Sequence, residues 1–222
     1  VLWVIDNSGS MSPFQNVISQ NLPAFLKFAV EQNIDFHLGV TTSGLTPSGS
    51  SCPGGANGGE NGRLFPVDGS SPRILTSRMP WAQLESAWSN NVKVGTCHGT
   101  EPIYEAALRA LTPPNINHAK VPNTPQPNDG NLGFLRPEAA LSIIMMHDEN
   151  ASDDFMPPAD YVAAYRALKP SRREDTVKVH AISGGKVKGA CSASACPRCV
   201  EGPELTGGVW LDICTPINDT QA

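Results

Sequence analysis

Residues 1–11, Val1-Leu2-Trp3-Val4-Ile5-Asp6-Asn7-Ser8-Gly9-Ser10-Met11, decide how the rest of the chain is read. An unbroken apolar run stops abruptly at Asp-x-Ser-x-Ser. Continuous hydrophobicity over a short run, without alternation, predicts a parallel strand covered on both faces. In open α/β sheets the chain leaves such a strand toward a helix, and ligands bind at that carboxyl edge. Asp6, Ser8 and Ser10 therefore offer one carboxylate and two hydroxyls from one tight loop. Three hard oxygens, with no thiol or imidazole among them, suit Mg²⁺, Mn²⁺ or Ca²⁺ better than zinc. Asp and Ser are also common helix N-caps, so the triplet by itself is equally a strand-to-helix turn.

Beyond the loop, Phe14, Val17, Ile18, Leu22, Phe25, Leu26 and Ala29 recur at helical spacing, which predicts an amphipathic helix. Pro23 lies inside it and brings no N–H, so a kink or break is expected near Leu22. Residues 34–42 (IDFHLGVTT) read as a second strand, with His37 on it as a paired or edge histidine rather than a ligand. Residues 73–77 suggest a short strand, and Trp81, Leu84 and Trp88 one apolar face of a short helix. A helix over 102–111 begins with Pro in its first turn. Residues 140–146 (ALSIIMM) form a buried strand running into His147-Asp148-Glu149-Asn150. A helix over 161–168, a strand toward an edge over 176–183 and a closing strand over 209–214 complete the series. Strands alternating with helices predict a doubly wound, mostly parallel α/β sheet flanked by helices, with right-handed crossovers.

The whole chain, 1–222, reads as a single domain with loop insertions at about 43–72 and 112–137, both rich in Gly, Pro, Ser and Asn. The first is expected to be a plain surface loop. It holds no Gly-Lys-Ser/Thr, so its glycines do not spell a phosphate cradle.

Sixteen Lys and Arg against 21 Asp and Glu leave a net charge of −5, without the basic cluster that tracks phosphates. Nucleic acid is not an expected partner. No segment of the sequence approaches the apolar length of a membrane span, about 18 residues or more. The first residue is Val in the middle of a strand, so a trimmed chain is expected, with any signal or lipid anchor upstream.

The six cysteines, Cys52, Cys97, Cys191, Cys196, Cys199 and Cys214, are even in number and lie in loop-like sequence. That favours disulfides and an oxidising compartment: extracellular, cell-surface or periplasmic. Position suggests Cys52–Cys97, then Cys191–Cys214 flanking a last hairpin-like unit, with Cys196–Cys199 left to each other. Two alternatives stand beside this. The last four thiols could hold a structural zinc, although only one CxxC is present. Cys196-Pro-Arg-Cys199 could be a redox pair, although such a motif should open a helix and this one sits in a Gly/Ala/Ser-rich stretch.

Asp6-x-Ser8-x-Ser10, with Gly9 and Met11 in place, resembles the metal-ion-dependent adhesion site of von Willebrand factor type A domains. The fuller string LWVIDNSGSM is similar to a bacterial secreted or surface-anchored branch of that family. The resemblance implies ligands from three loops. Asp6, Ser8 and Ser10 match the first, and Asp148, ending an apolar strand, matches the third. The second loop departs from the pattern. Thr100 follows a glycine as the family's Thr does, whereas an ungapped count back from the helix puts Glu101 there.

The resemblance implies a non-enzymatic adhesion module, expected to be monomeric. In it a Mg²⁺ or Ca²⁺ ion, or Mn²⁺, coordinates an Asp or Glu carboxylate of a protein partner. A domain whose ion only stabilises loops is the main alternative. A metal-dependent hydrolase is a further one, with His147 and Glu149 the sequence-adjacent candidates for a general base. Glu149 would otherwise orient a water or a serine hydroxyl beside the ion.

Overall fold

A computed structural model of the chain describes residues 1–45, 61–124, 128–151, 154–169 and 176–215, with the backbone alone for 21–25. Six strands form one sheet: β1 (Leu2–Ile5), β2 (His37–Thr42), β3 (Leu75–Thr76), β4 (Leu141–His147), β5 (Val177–Ser183) and β6 (Trp210–Asp212). Their spatial order is β3-β2-β1-β4-β5-β6. All neighbours are parallel except β2 and β3. The helices are α1 (Ser12–Glu31), α2 (Trp81–Asn91), α3 (Ile103–Leu111), α4 (Pro158–Ala167) and α5 (Pro197–Thr206). The architecture is the α/β sheet flanked by helices that the strand–helix alternation predicts.

The apolar run of β1 divides between two cores. Leu2 and Val4 pack with Ile143, Met145, Val177 and Val179 under residues of α3, α4 and α5. Trp3 and Ile5 pack on the opposite face with Leu38, Val40 and residues of α1 and α2, and Trp3 meets Trp88 edge-on. Every β1 side chain is at most 3% exposed, which is why the run shows no alternation.

Five expectations change. The helix α1 runs as one element through Pro23. The strand β5 lies inside the sheet, paired with β4 along its length and with β6 over Ala181–Ser183. Its alternating burial is one of faces: Val177, Val179 and Ala181 pack under the layer of α3 to α5, while Lys178, His180 and Ile182 on the opposite face are only half-buried.

The connection after β2 is more than a surface loop where it is described. Leu64, Phe65 and Val67 are buried, and Arg63 pairs with buried Asp129 at 3.0 Å. Asn131 accepts from the Leu64 N–H and donates to the Gly62 carbonyl, tying the two insertions together. Backbone groups that would form a ladder elsewhere are satisfied here by side chains.

The stretch over Cys196–Cys199 opens helix α5 rather than lying in a loop. Cys191 is bonded to Cys214, and Cys196 to Cys199, so these four sulfurs are not free zinc ligands. The unit that Cys191–Cys214 encloses is thus helix α5 plus β6, not a hairpin. Cys97 is disulfide-bonded, while Cys52 and its pairing lie outside the described residues.

Candidate metal centre

Three connections meet at the carboxyl edge of β1 and β4. The Asp6 N–H donates to the Met146 carbonyl at 2.9 Å, extending the β1–β4 ladder by one step. Ile5 faces Met146 in register, so Asp6 stands beside His147 one residue further on. Both continue the alternation of Leu2–Val4 and Ile143–Met145, so they turn toward the layer of α3 to α5. That is the layer in which Glu101 precedes α3.

The first loop is held by its own turn. The Ser8 N–H donates to Asp6 Oδ1 at 2.6 Å, and Gln15 Nε2 bonds the Asp6 carbonyl at 3.2 Å and that of Gly95 at 2.8 Å. The Asn7 carbonyl accepts from the N–H groups of Cys97 and His98, fastening the second loop to the first. The Asp148 carbonyl accepts from Ser194 N–H, fixing the third.

Within this frame the polar side chains form a continuous cluster. Ser8 Oγ and Ser10 Oγ lie 3.1 Å apart, and Ser10 Oγ donates to Asp148 Oδ1 at 3.1 Å. His147 Nδ1 is 3.8 Å from Asp6 Oδ2, and His147 Nε2 is 3.6 Å from Glu101 Oε2. His147 Nδ1 accepts from the Glu149 N–H at 2.9 Å, which puts the neutral ring's proton on Nε2, facing the Glu101 carbonyl at 3.4 Å. Asp6 and His147 are fully buried and Glu101 is 5% exposed, while Ser10 reaches solvent.

Burial sets the electrostatics. It pushes the Asp6 carboxyl up to about 7, with the charge of Asp148 adding to the effect and the Ser8 N–H opposing it. Burial also raises Glu101, reinforced by Asp6, and holds His147 below the usual imidazole range despite the carboxylates around it. Asp6 Oδ2 is buried with no hydrogen-bond partner. A carboxylate oxygen in that position is costly unless a proton or a cation meets it. Asp6, Glu101 and His147 each direct a ligand atom inward, all within 4.8 Å of one another. The donor set fits a divalent cation.

Of the residues singled out from sequence, Asp6, Ser8, Ser10, Asp148 and Glu101 come together. Thr100 is exposed, and the described contacts bring its neighbour Glu101 into the cluster instead. Glu149 is exposed and contributes its backbone N–H rather than its carboxylate. His147, which the sequence offers as a candidate general base, lies inside the cluster between Asp6 and Glu101.

No protein-family model matches the chain, and no curated protein matches it. Similar solved structures include proximal thread matrix protein 1 from the mussel byssus, in three determinations. Its crystal form 2 gives a TM-score of 0.47 at 13% identity, covering 96% of this chain and 41% of that one. A determination described as having a zinc-occupied MIDAS motif gives 0.42 at 13% identity, covering 95% and 40%. A third gives 0.46 at 11% identity, covering 95% and 42%. The chain spans about two fifths of the length of these structures.

Proposed function

We propose that the chain is a metal-dependent binding module of the von Willebrand factor type A kind, in which a divalent cation is held by Asp6, Ser8, Ser10, Glu101 and Asp148. The observation that carries the reading is the buried Asp6 carboxylate, whose Oδ2 has no hydrogen-bond partner and faces the cluster. The resemblance of Asp6-x-Ser8-x-Ser10 to the adhesion-site motif supports it, as does the position of the cluster at the carboxyl edge of a parallel sheet. The residues' own work is to position: Ser8 N–H orients Asp6, and Ser10 spans from Ser8 to Asp148. A bound cation would supply a Lewis-acidic point for an acidic group. Ser10, exposed at the rim, marks the side from which a partner's Asp or Glu carboxylate would approach. The role is recognition rather than catalysis. The disulfides fit an oxidising compartment, and we place the module at a cell surface or in a secreted or periplasmic protein.

Calorimetric titration of the purified chain with Mg²⁺, Mn²⁺ and Ca²⁺, beside Asp6→Ala, tests the site. Binding that Asp6→Ala abolishes supports it, and absence of binding in the wild type overturns it.

The burial of Glu101 favours a second reading, an ion that only stabilises the loops. A third carboxylate neutralises the cation further and weakens its demand for an outside acid. Water relaxation by bound Mn²⁺ separates the two. Exchangeable water on the ion supports recognition, and a shell filled by protein oxygens supports the structural role.

A further inference from the structure

We infer that His147 makes this centre a mixed nitrogen–oxygen site, built for a borderline transition ion such as Co²⁺ or Zn²⁺ rather than for Mg²⁺ or Ca²⁺. The inference rests on the cation site proposed above and adds the class of ion to it.

Asp6 Oδ2 is buried and without a hydrogen-bond partner, and His147 Nδ1 lies 3.8 Å from it. Because Nδ1 accepts the Glu149 N–H, the neutral ring has its proton on Nε2. The ring therefore turns no proton toward Asp6 Oδ2, and that buried oxygen is left beside a ring nitrogen whose lone pair the Glu149 N–H holds. Their separation is within the roughly 4.2 Å that two ligands at about 2.1 Å can span across one ion. A charged Asp6 Oδ2 is costly in that place, and a cation reached by both it and Nδ1 removes the cost.

The far side of the ring has the matching arrangement. Nε2 faces the Glu101 carbonyl at 3.4 Å and its carboxylate at 3.6 Å. A metal-bound imidazole characteristically donates its other N–H to a carboxylate or a backbone carbonyl, which fixes the tautomer and raises ligand basicity. Ligation through Nδ1 exchanges the Glu149 amide's bond for the metal and leaves the Nε2–H partner unchanged. Imidazole nitrogen suits Zn²⁺ and the later first-row ions, whereas Mg²⁺ and Ca²⁺ call for oxygen alone.

Transition ions bind most sites more tightly than Mg²⁺, so a ratio of affinities in the wild type proves little. The test is therefore spectroscopic first. Mn²⁺ is bound to the purified full chain, without reductant, and examined by pulsed electron paramagnetic resonance for coupling to a ligand ¹⁴N, in the wild type and in His147→Gln. Calorimetry with Zn²⁺, Co²⁺ and Mg²⁺ follows on both proteins. The expected result is imidazole ¹⁴N coupling in the wild type that His147→Gln removes. Affinity for Zn²⁺ and Co²⁺ should fall at least tenfold, while that for Mg²⁺ changes less than about threefold. Bound Mn²⁺ in the wild type without ¹⁴N coupling overturns the nitrogen donor and leaves the cation site standing. Equal losses for all ions in His147→Gln overturn the selectivity. No ion bound by the wild type overturns the cation site, and this inference with it. The wild-type spectrum decides the point even if the variant does not fold.

Discussion

Asp6→Asn should stabilise the metal-free protein at neutral and alkaline pH, and the gain should vanish in acid. Asp6 is fully buried, and burial moves its carboxyl from 3.8 to about 7. At about 1.36 kcal/mol per pH unit, that difference corresponds to about 4 kcal/mol. The sign follows from proton counts. Between those two values the folded protein keeps the proton and the unfolded chain has lost it, so stability falls as pH rises through the interval. Above about pH 7 the cost is fully expressed, and below about pH 4 it is absent. Asparagine keeps an oxygen for the Ser8 N–H but puts an amide NH₂ where Oδ2 faces His147 Nδ1, at a cost of about 1–3 kcal/mol. The expected net gain at pH 8 is therefore about 2 kcal/mol.

The decisive quantity is the change in the difference between the two proteins from pH 4 to pH 8, about 4 kcal/mol, because the amide's own cost cancels. Glu101 adds to it in the same direction, since Asp6 is one of the charges that raise it. Urea unfolding in excess chelator, with disulfides intact, measures this directly. A net gain of 2 kcal/mol would also raise the melting temperature by about 4–8 °C in a domain of this size. With saturating divalent cation the sign should reverse, because the variant loses a charged ligand. A difference that stays constant with pH to within about 1 kcal/mol would refute the account of Asp6 as a carboxylate held out of water for a cation.

Glu101→Gln should weaken divalent-ion binding at least tenfold by calorimetry, whereas Thr100→Ala should change it less than about threefold; the opposite ranking would return the second-loop role to Thr100. Replacing Cys191 and Cys214 together by Ser opens a loop closed over 23 residues and should lower stability by about 3 kcal/mol, read from the urea midpoint. Gly202→Ala would place a methyl 2.5 Å from the Tyr104 hydroxyl and 2.9 Å from Val179, and should cost about 1–3 kcal/mol by thermal unfolding; a neutral substitution would mean that α3 and α5 do not pack as described.

What the sequence discloses follows from how local each cause is. The run over Leu2–Ile5 is legible because successive side chains enter two different cores, so every position must be apolar. Trp81, Leu84 and Trp88 are legible because the helix period places them on one face, where Leu84 and Trp88 are fully buried. Helix α5 is not legible, because Gly202 and Pro203 count against it locally. Tertiary contacts overrule that preference: Gly202 N–H donates to the Tyr104 hydroxyl, which itself donates to the Arg198 carbonyl. The absence of a Cβ at residue 202 is what lets the ring approach. A helix specified by a tyrosine on another helix leaves no pattern within its own ten residues.

The same distinction explains the candidate centre. Asp6, Ser8 and Ser10 are near neighbours in sequence, so one loop motif reveals them. His147 joins them through register alone: Ile5 opposite Met146 sets Asp6 beside it, on the same face. Without that pairing, His147-Asp148 reads as a loop histidine before a ligand. Glu101 is decided by a single residue of offset, since the loop leading into α3 leaves Thr100 at the surface and Glu101 inside. The offset alters the chemistry. With Thr100, two carboxylates would balance a dication; with Glu101, three carboxylates surround it beside a ring whose burial keeps it neutral. A centre with that surplus of negative charge retains a cation well and attracts an outside carboxylate less. Recognition of an acidic partner here therefore depends on how much of Glu101's charge reaches the ion, and burial, which raises its carboxyl, works against that charge.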